Sequence, residues 1–148
     1  LGRFKGGGTI LLGAAGAGHV LSLDNGELPG QATFLKELDA ALAQLGLQDK
    51  VECVMGDAFT WPCAVEAFDL VIVDCATDGE QGARIFTHWW SAVKPGGYML
   101  MSDGKDTPWE DLAAWVASLD IDSHGGTRNS QCPGSYVLFH KLAGMHPK

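Results

Sequence analysis

The sequence has no apolar run long enough to cross a bilayer: its longest stretches, such as Thr9–Ala15, fall far short of the roughly 20 residues a spanning helix needs. Nor does it open with a basic segment followed by an apolar stretch and a cleavage site. No membrane partner and no signal peptide are therefore expected, and the location expected is cytoplasmic. Basic residues are scarce, with 10 Lys and Arg against 18 Asp and Glu, a net charge of −8. An acidic surface repels a phosphate backbone, so no nucleic acid partner is expected. Cysteine is sparse as well. Cys53, Cys63, Cys75 and Cys132 form no CxxC pair, and two fall in stretches that read as buried strands. This favours small buried hydrophobes in a reducing compartment over a disulfide or a zinc site. No repeat, linker or composition break interrupts the 148 residues, and at 46% hydrophobic they suit one globular domain, 1–148.

What is present is an alternation of strand and helix patterns, which predicts an α/β fold with a mostly parallel sheet covered on both faces. His19–Asp24 reads as a short strand ending in an acid. Gln31–Leu45 carries Phe34, Leu35, Leu38, Leu42 and Leu45 at helical spacing, with Gly46 as its stop. Val51–Met55 is the next strand. Phe68–Val73 is a continuous apolar run before Asp74, as in a strand buried on both faces. Glu80–Val93 reads as a helix stopped by Lys94-Pro95-Gly96-Gly97, and Tyr98–Met101 as another strand. Thr107-Pro108-Trp109-Glu110 is a capping box that opens a helix to about Ser118. Gly125-Gly126 and Cys132-Pro133-Gly134 flank a weak strand, and Ser135–Lys141 is the last, so the chain ends in an antiparallel hairpin.

The opening segment admits two readings. In one, Thr9–Leu12 is a strand and Gly13–Gly18 a dinucleotide fingerprint, which would suit a nicotinamide-dependent oxidoreductase. That fingerprint must open a helix, whose free N–H groups hold the pyrophosphate, yet His19–Asp24 follows as a strand. The preferred reading makes Gly2–Gly8 a ligand loop, Thr9–Ala15 a short helix and Gly16–Gly18 its exit. Such a loop follows a central strand, so the first strand is expected to be truncated to Leu1-Gly2.

The glycine loop, Asp24, Asp57, Asp74 and Asp103 then all stand at the C-terminal ends of strands, where an open parallel sheet forms its ligand crevice. With GRFKGGGT, HVLSLD, VECVMGDAF, FDLVIVD and WWSAVKPGGYMLMSD, residues 1–103 resemble the class I S-adenosylmethionine-dependent methyltransferases, in particular a small bacterial group with a GRFKGG-type opening loop. The resemblance implies a Rossmann-like sandwich with strand order 3-2-1-4-5-7-6 and strand 7 antiparallel. It also implies S-adenosylmethionine as cofactor, with Gly2, Gly6, Gly7 and Thr9 on its methionine side. Asp24 would hold the ribose, Asp57 and Ala58 the adenine, and Asp74 the edge of the reaction centre.

Catalytic candidates are Asp74, Asp103 and, in the loop before the hairpin, His124. Two histidines that relatives carry after the fourth and fifth strands are replaced by the segments Ala76-Thr77-Asp78-Gly79 and Met101-Ser102-Asp103-Gly104. Catechol-type relatives bind magnesium through acids matching Asp74 and Asp103 plus an asparagine. Here Gly104 stands in that third place, which favours a metal-free site over a magnesium site. His88, Trp89 and Trp90 are expected to pack a helix on the sheet, and Trp61 and Trp109 to pack at loop rims. Arg3 and Lys5 read equally as anion contacts and as solvated loop charges. The function expected is methyl transfer to a small-molecule acceptor, on oxygen. The alternative is a non-catalytic methyltransferase-like domain binding a nucleotide-type ligand or a protein. An exposed sheet edge would favour a homodimer.

Overall fold

The computed structural model describes residues 1–3, 6–27, 29–75, 79–102, 126–129 and 136–143. Its contacts gather into two compact units, Leu1–Trp61 and Pro62–Lys148. Each is described by itself.

The first unit runs α1 (Gly7–Ala14), β1 (Val20–Asp24), α2 (Gln31–Gln44) and β2 (Val51–Met55). β1 and β2 pair in parallel, from Val20 opposite Val51 to Asp24 opposite Met55. The helical reading of the opening segment holds, but α1 starts at Gly7 rather than Thr9. Gly6 is its N-cap at φ 85, and the Ile10 N–H closes the first turn on the Gly6 carbonyl at 3.0 Å. That left-handed conformation costs a side chain roughly 1–2 kcal/mol, and a β-carbon on Gly6 would lie 2.7 Å from both Leu38 methyl groups. Glycine is therefore required here. Gly13, from the competing fingerprint reading, lies buried within α1 against Val51 and Leu47. It opens no helix, so the dinucleotide reading fails.

Val20, Leu38, Leu42, Leu47 and Val51 form the core of this unit, with Ile10, Leu12, Ala17 and Cys53 packed against it. Leu45, placed on the apolar stripe by its spacing, is instead exposed, because α2 ends at Gln44 and Leu45 is its C-cap.

The second unit holds β3 (Phe68–Val73), α3 (Gly79–Trp89), a 3₁₀ turn (Trp90–Ala92), β4 (Val93–Ser102), β5 (Gly126–Asn129) and β6 (Tyr136–Lys141), in the sheet order β3-β4-β6-β5. β3 and β4 are parallel, and β6 is antiparallel to both β4 and β5. The expected terminal hairpin is present. Val71, Val73, Met99, Met101, Val137 and Phe139 are buried, as are Ile85, Phe86, Trp89 and Trp90. Phe86 meets Phe139 edge-on at 5.0 Å, so α3 covers this side of the sheet. Leu70 and Tyr98, register partners among the alternating residues, remain 43% and 41% exposed. The expectation that Phe68–Val73 is buried on both faces is thus corrected.

Two boundaries also move. The helix expected to reach Val93 ends at Trp89, where a 3₁₀ turn leads into β4 and residues distant in the chain bond the turn's backbone. Lys141 Nζ donates to the Trp90 and Val93 carbonyls at 3.3 and 2.7 Å, and the Glu66 N–H to the Ser91 carbonyl at 2.9 Å. Val93 then pairs with Phe68 before Leu70 pairs with Tyr98. Lys94-Pro95-Gly96-Gly97 is thereby looped out as a bulge, where proline's missing N–H costs no ladder bond. Gly97 is needed there: a β-carbon would sit 2.8 Å from the Asp69 carbonyl oxygen.

In the seven-strand order implied by the resemblance, β1 and β2 take second and third place and β3 to β6 the fourth to seventh. Each sheet reproduces its own run, 3-2 and 4-5-7-6. Where a first strand would lie beside β1, the Gly2 N–H donates to the Leu23 carbonyl at 3.0 Å. The helix expected from Thr107 lies outside the described residues.

Candidate cofactor site

Asp24 ends β1 and is 7% exposed. Its Oδ2 accepts the Arg3 N–H at 2.7 Å and its Oδ1 the Gly26 N–H at 2.8 Å. Both carboxylate oxygens thus accept a backbone N–H. The Asp24 carbonyl accepts the Gly56 N–H at 2.9 Å, which brings the turn after β2 to the same strand end. In that turn Asp57 Oδ1 accepts the Phe59 N–H at 2.9 Å, Thr60 donates to Oδ2 at 3.4 Å, and the Asp57 carbonyl accepts the Thr60 and Trp61 N–H groups. Asp57 is thus exposed and engaged within its own turn, beside half-buried Ala58. The Trp61 indole and Leu23 fill the space where a side chain on Gly56 would stand. The spacing in the sequence marks Trp61 only as an aromatic near a loop.

The opening glycines join the same rim. The Gly6 N–H donates to the Arg3 carbonyl at 2.9 Å, so α1 begins directly after the segment bonded to Asp24. Gly7 and Gly8 are exposed in its first turn, with open space around both. The first N–H groups of a helix have no intrahelical partner, and its N-terminal dipole favours negative charge. The other predicted loop residues carry internal contacts. Gly2 bonds Leu23, Gly6 packs on Leu38, and the Thr9 and Ser22 hydroxyls share a buried hydrogen bond of 2.8 Å. Arg3 is not a solvated loop charge. It is 7% exposed, with Nη1 donating to the Ser22 and Val54 carbonyls at 2.8 and 3.2 Å. Nothing in a lone arginine within a glycine loop signals that.

The structure therefore brings Gly2, Gly6, Gly7, Thr9, Asp24, Asp57 and Ala58 to one strand rim of the first unit. Asp74 follows β3 in the second unit, exposed at that strand's C-terminal end. Asp103 and His124 lie outside the described residues. Among the described residues, no group of three or more His, Cys, Asp or Glu is placed to hold a metal ion. Cys53, Cys63 and Cys75 are joined in no disulfide and are each half-buried rather than core. Burial pushes the Cys53 and Cys63 thiols up, away from the nucleophilic thiolate.

A family model described as a methyltransferase domain matches residues 1–104. The chain belongs to this methyltransferase family. Solved structures share its fold. A protein described as an rRNA methylase of Clostridium thermocellum matches with a TM-score of 0.65 at 15% identity, over 94% of this chain and 82% of that one. Another, described as an rRNA methylase of Streptococcus thermophilus, matches with 0.61 at 15% identity, over 93% and 81%. A protein described as a methyltransferase of Streptococcus mutans, in complex with SAH (S-adenosylhomocysteine), matches with 0.65 at 16% identity, over 93% and 84%. No curated protein matches the chain.

The fold is the Rossmann-like class I sandwich, and the enzyme is an S-adenosylmethionine-dependent methyltransferase. The residues of the first unit fit such a ligand. That unit holds a buried carboxylate, Asp24, and a helix N-terminus, α1, whose chemistry suits a diol and a carboxylate. Among the described residues, no helix of this methyltransferase is long and apolar enough to cross a membrane.

Proposed function

We propose that the enzyme transfers a methyl group from S-adenosylmethionine to an oxygen of a small-molecule acceptor. One observation supports this reading most. The Arg3–Asp24–Gly56 bonds draw the α1 N-terminus, a buried carboxylate and the Asp57 turn to a single rim. When bound, S-adenosylmethionine supplies a methyl on a sulfonium, which is already a good leaving group. The protein's work is then alignment and exclusion of water rather than activation. Gly7, with Gly2, Gly6 and Thr9 shaping the turn behind it, receives the methionine end. Asp24 accepts from the ribose hydroxyls. Asp57 and Ala58 border the adenine. Asp74 and Asp103 orient the acceptor hydroxyl, and His124 takes its proton. The reaction is proposed to need no magnesium, since glycine stands where the third ligand of the catechol-type pattern would be.

A second reading has one specific support: two of the neighbouring structures are described as rRNA methylases. RNA would then be the acceptor, against a net charge of −8. The test has two stages. Calorimetry with S-adenosylmethionine and S-adenosylhomocysteine is expected to show one site per chain. Product formation is then followed with a panel of hydroxylated small molecules and with ribosomal RNA, each with and without EDTA. Transfer only to RNA would replace the small-molecule reading. Binding without transfer to anything would leave a ligand-binding domain, and EDTA-sensitive transfer would reinstate the metal.

A further inference from the structure

We infer that the Met55 side chain is the surface on which the adenine ring of the cofactor lies, a specificity-determining contact beyond Asp57 and Ala58. The inference rests on the ribose role proposed above for Asp24.

Met55 ends β2 and is the register partner of Asp24, which ends β1. Register partners on neighbouring strands stand on the same face of the sheet, with the strands about 4.8 Å apart. Gly56, the next residue, presents the opposite face, where the Trp61 indole and Leu23 occupy the place of its side chain. In S-adenosylmethionine the base is joined to the sugar carbon next to the one that bears the 2′-hydroxyl. With the diol on Asp24, the base therefore lies about one strand spacing away. One edge of β1 carries the Gly2 N–H on the Leu23 carbonyl, and from that segment the chain passes into α1, the methionine end. The other edge carries β2. The base is thus directed to β2, and Met55 is the first side chain it meets on the face of Asp24.

The state of Met55 suits that contact. It is 48% exposed, yet its thioether is held. Arg3 Nη2 donates to its Sδ at 3.3 Å, and its Cε packs against Gly26, where it leaves no room for a β-carbon. Gly26 in turn donates its N–H to Asp24 Oδ1 at 2.8 Å. A long exposed side chain ordinarily samples many rotamers, and ordering it on binding costs affinity. One already fixed at sulfur and methyl offers a set apolar surface beside the carboxylate. The polarizable thioether makes favourable contacts with aromatic rings.

The test labels the methyl groups of the four methionines with carbon-13 and identifies the Met55 signal by its loss in Met55→Leu. Adding S-adenosylhomocysteine is expected to move that signal upfield, because a ring face shields what lies over it. S-ribosylhomocysteine, which has a hydroxyl in place of the base, is expected to leave it near its free position. A Met55 signal that stays still while S-adenosylhomocysteine binds overturns the inference. Calorimetry adds an energetic arm. Met55→Ala is expected to weaken S-adenosylhomocysteine by about tenfold, the upper scale of a sulfur–aromatic contact, and to leave S-ribosylhomocysteine within about twofold. Met55→Leu, apolar but without sulfur, is expected to fall between. A methionine that only supported Arg3 or the Gly26 turn would weaken both ligands together, since both carry the diol, and an equal loss also overturns the inference. If Met55→Ala does not fold, Met55→Gln, similar in length but polar, takes its place under the same criterion. Failure of the wild type to bind S-adenosylhomocysteine would instead overturn the cofactor reading. Affinity unchanged by Asp24→Asn would overturn the ribose role, and neither result depends on the Met55 signal.

Discussion

Asp24 is buried, yet the two N–H groups on its oxygens come from backbone that no side-chain substitution elsewhere removes outright. Changing Asp24 itself is therefore the direct probe. Asparagine has one acceptor oxygen where two donors converge, which turns an amide NH2 against an N–H. Asp24→Asn is expected to lower unfolding stability by about 1–3 kcal/mol, the cost of an unsatisfied buried polar group. It should weaken S-adenosylhomocysteine by more than tenfold, read by thermal denaturation and calorimetry. Unchanged affinity would remove the ribose role. Cys53 gives a residue-scale prediction about pH. Burial raises its thiol pKa and nearby Asp39 adds to that, while Arg3 pulls the other way by charge and hydrogen bond. The folded state thus prefers the neutral thiol. That preference is fully present below the ordinary thiol pKa and is lost as pH rises through the folded value, so stability should decline on the alkaline side. Iodoacetamide labelling of Cys53, followed by mass spectrometry, is expected to begin at higher pH than labelling of free cysteine. Labelling alongside the free amino acid would refute it.

At the scale of elements, the start of α1 separates a glycine that the fold requires from one that it does not. Gly6 has a left-handed backbone and no room for a β-carbon, whereas Gly7 is helical, exposed and surrounded by open space. Gly6→Ala is expected to destabilise by about 1–3 kcal/mol, from strain and overpacking against Leu38. Gly7→Ala should leave stability unchanged or raise it by up to about 1 kcal/mol, alanine being the better helix former. The same Gly7→Ala substitution should weaken S-adenosylhomocysteine by placing a methyl where the ligand approaches. Denaturant titration with calorimetry separates the two, and a Gly7→Ala chain that binds normally would move the ligand away from α1. The sequence left these glycines equivalent. Periodicity placed α2, β2 and β3 well, from their apolar residues, while turn signals on either side of Gly126–Asn129 marked the terminal hairpin. It misplaced the end of α3 and the start of β4, where Val93 pairs with Phe68 and Lys141 and Glu66 bond the turn between them. Contacts between residues so far apart in the chain leave no local trace.

At the scale of the whole molecule, Asp24 and the Asp57 turn were legible together because paired parallel strands, β1 and β2 here, end at one rim. Arg3 was not, since burial of a charge depends on carbonyls that become available only once β1 and β2 have paired. The choice of acceptor is likewise a whole-molecule property. Eight surplus negative charges repel a polyanion at every approach, and this repulsion weakens as salt screens it. A basic groove strong enough to overcome it would bind RNA through released counterions, so its activity would fall steeply with added salt. A small neutral acceptor releases none. Methyl transfer is therefore expected to change by less than about twofold between 50 and 200 mM salt, where a protein making several phosphate contacts would lose affinity by orders of magnitude. Initial rates measured across that range at subsaturating acceptor decide between them. A steep loss would point to a nucleic-acid acceptor in spite of the acidic sequence, and a flat profile to an acceptor held by the shape and hydrogen bonds of its pocket.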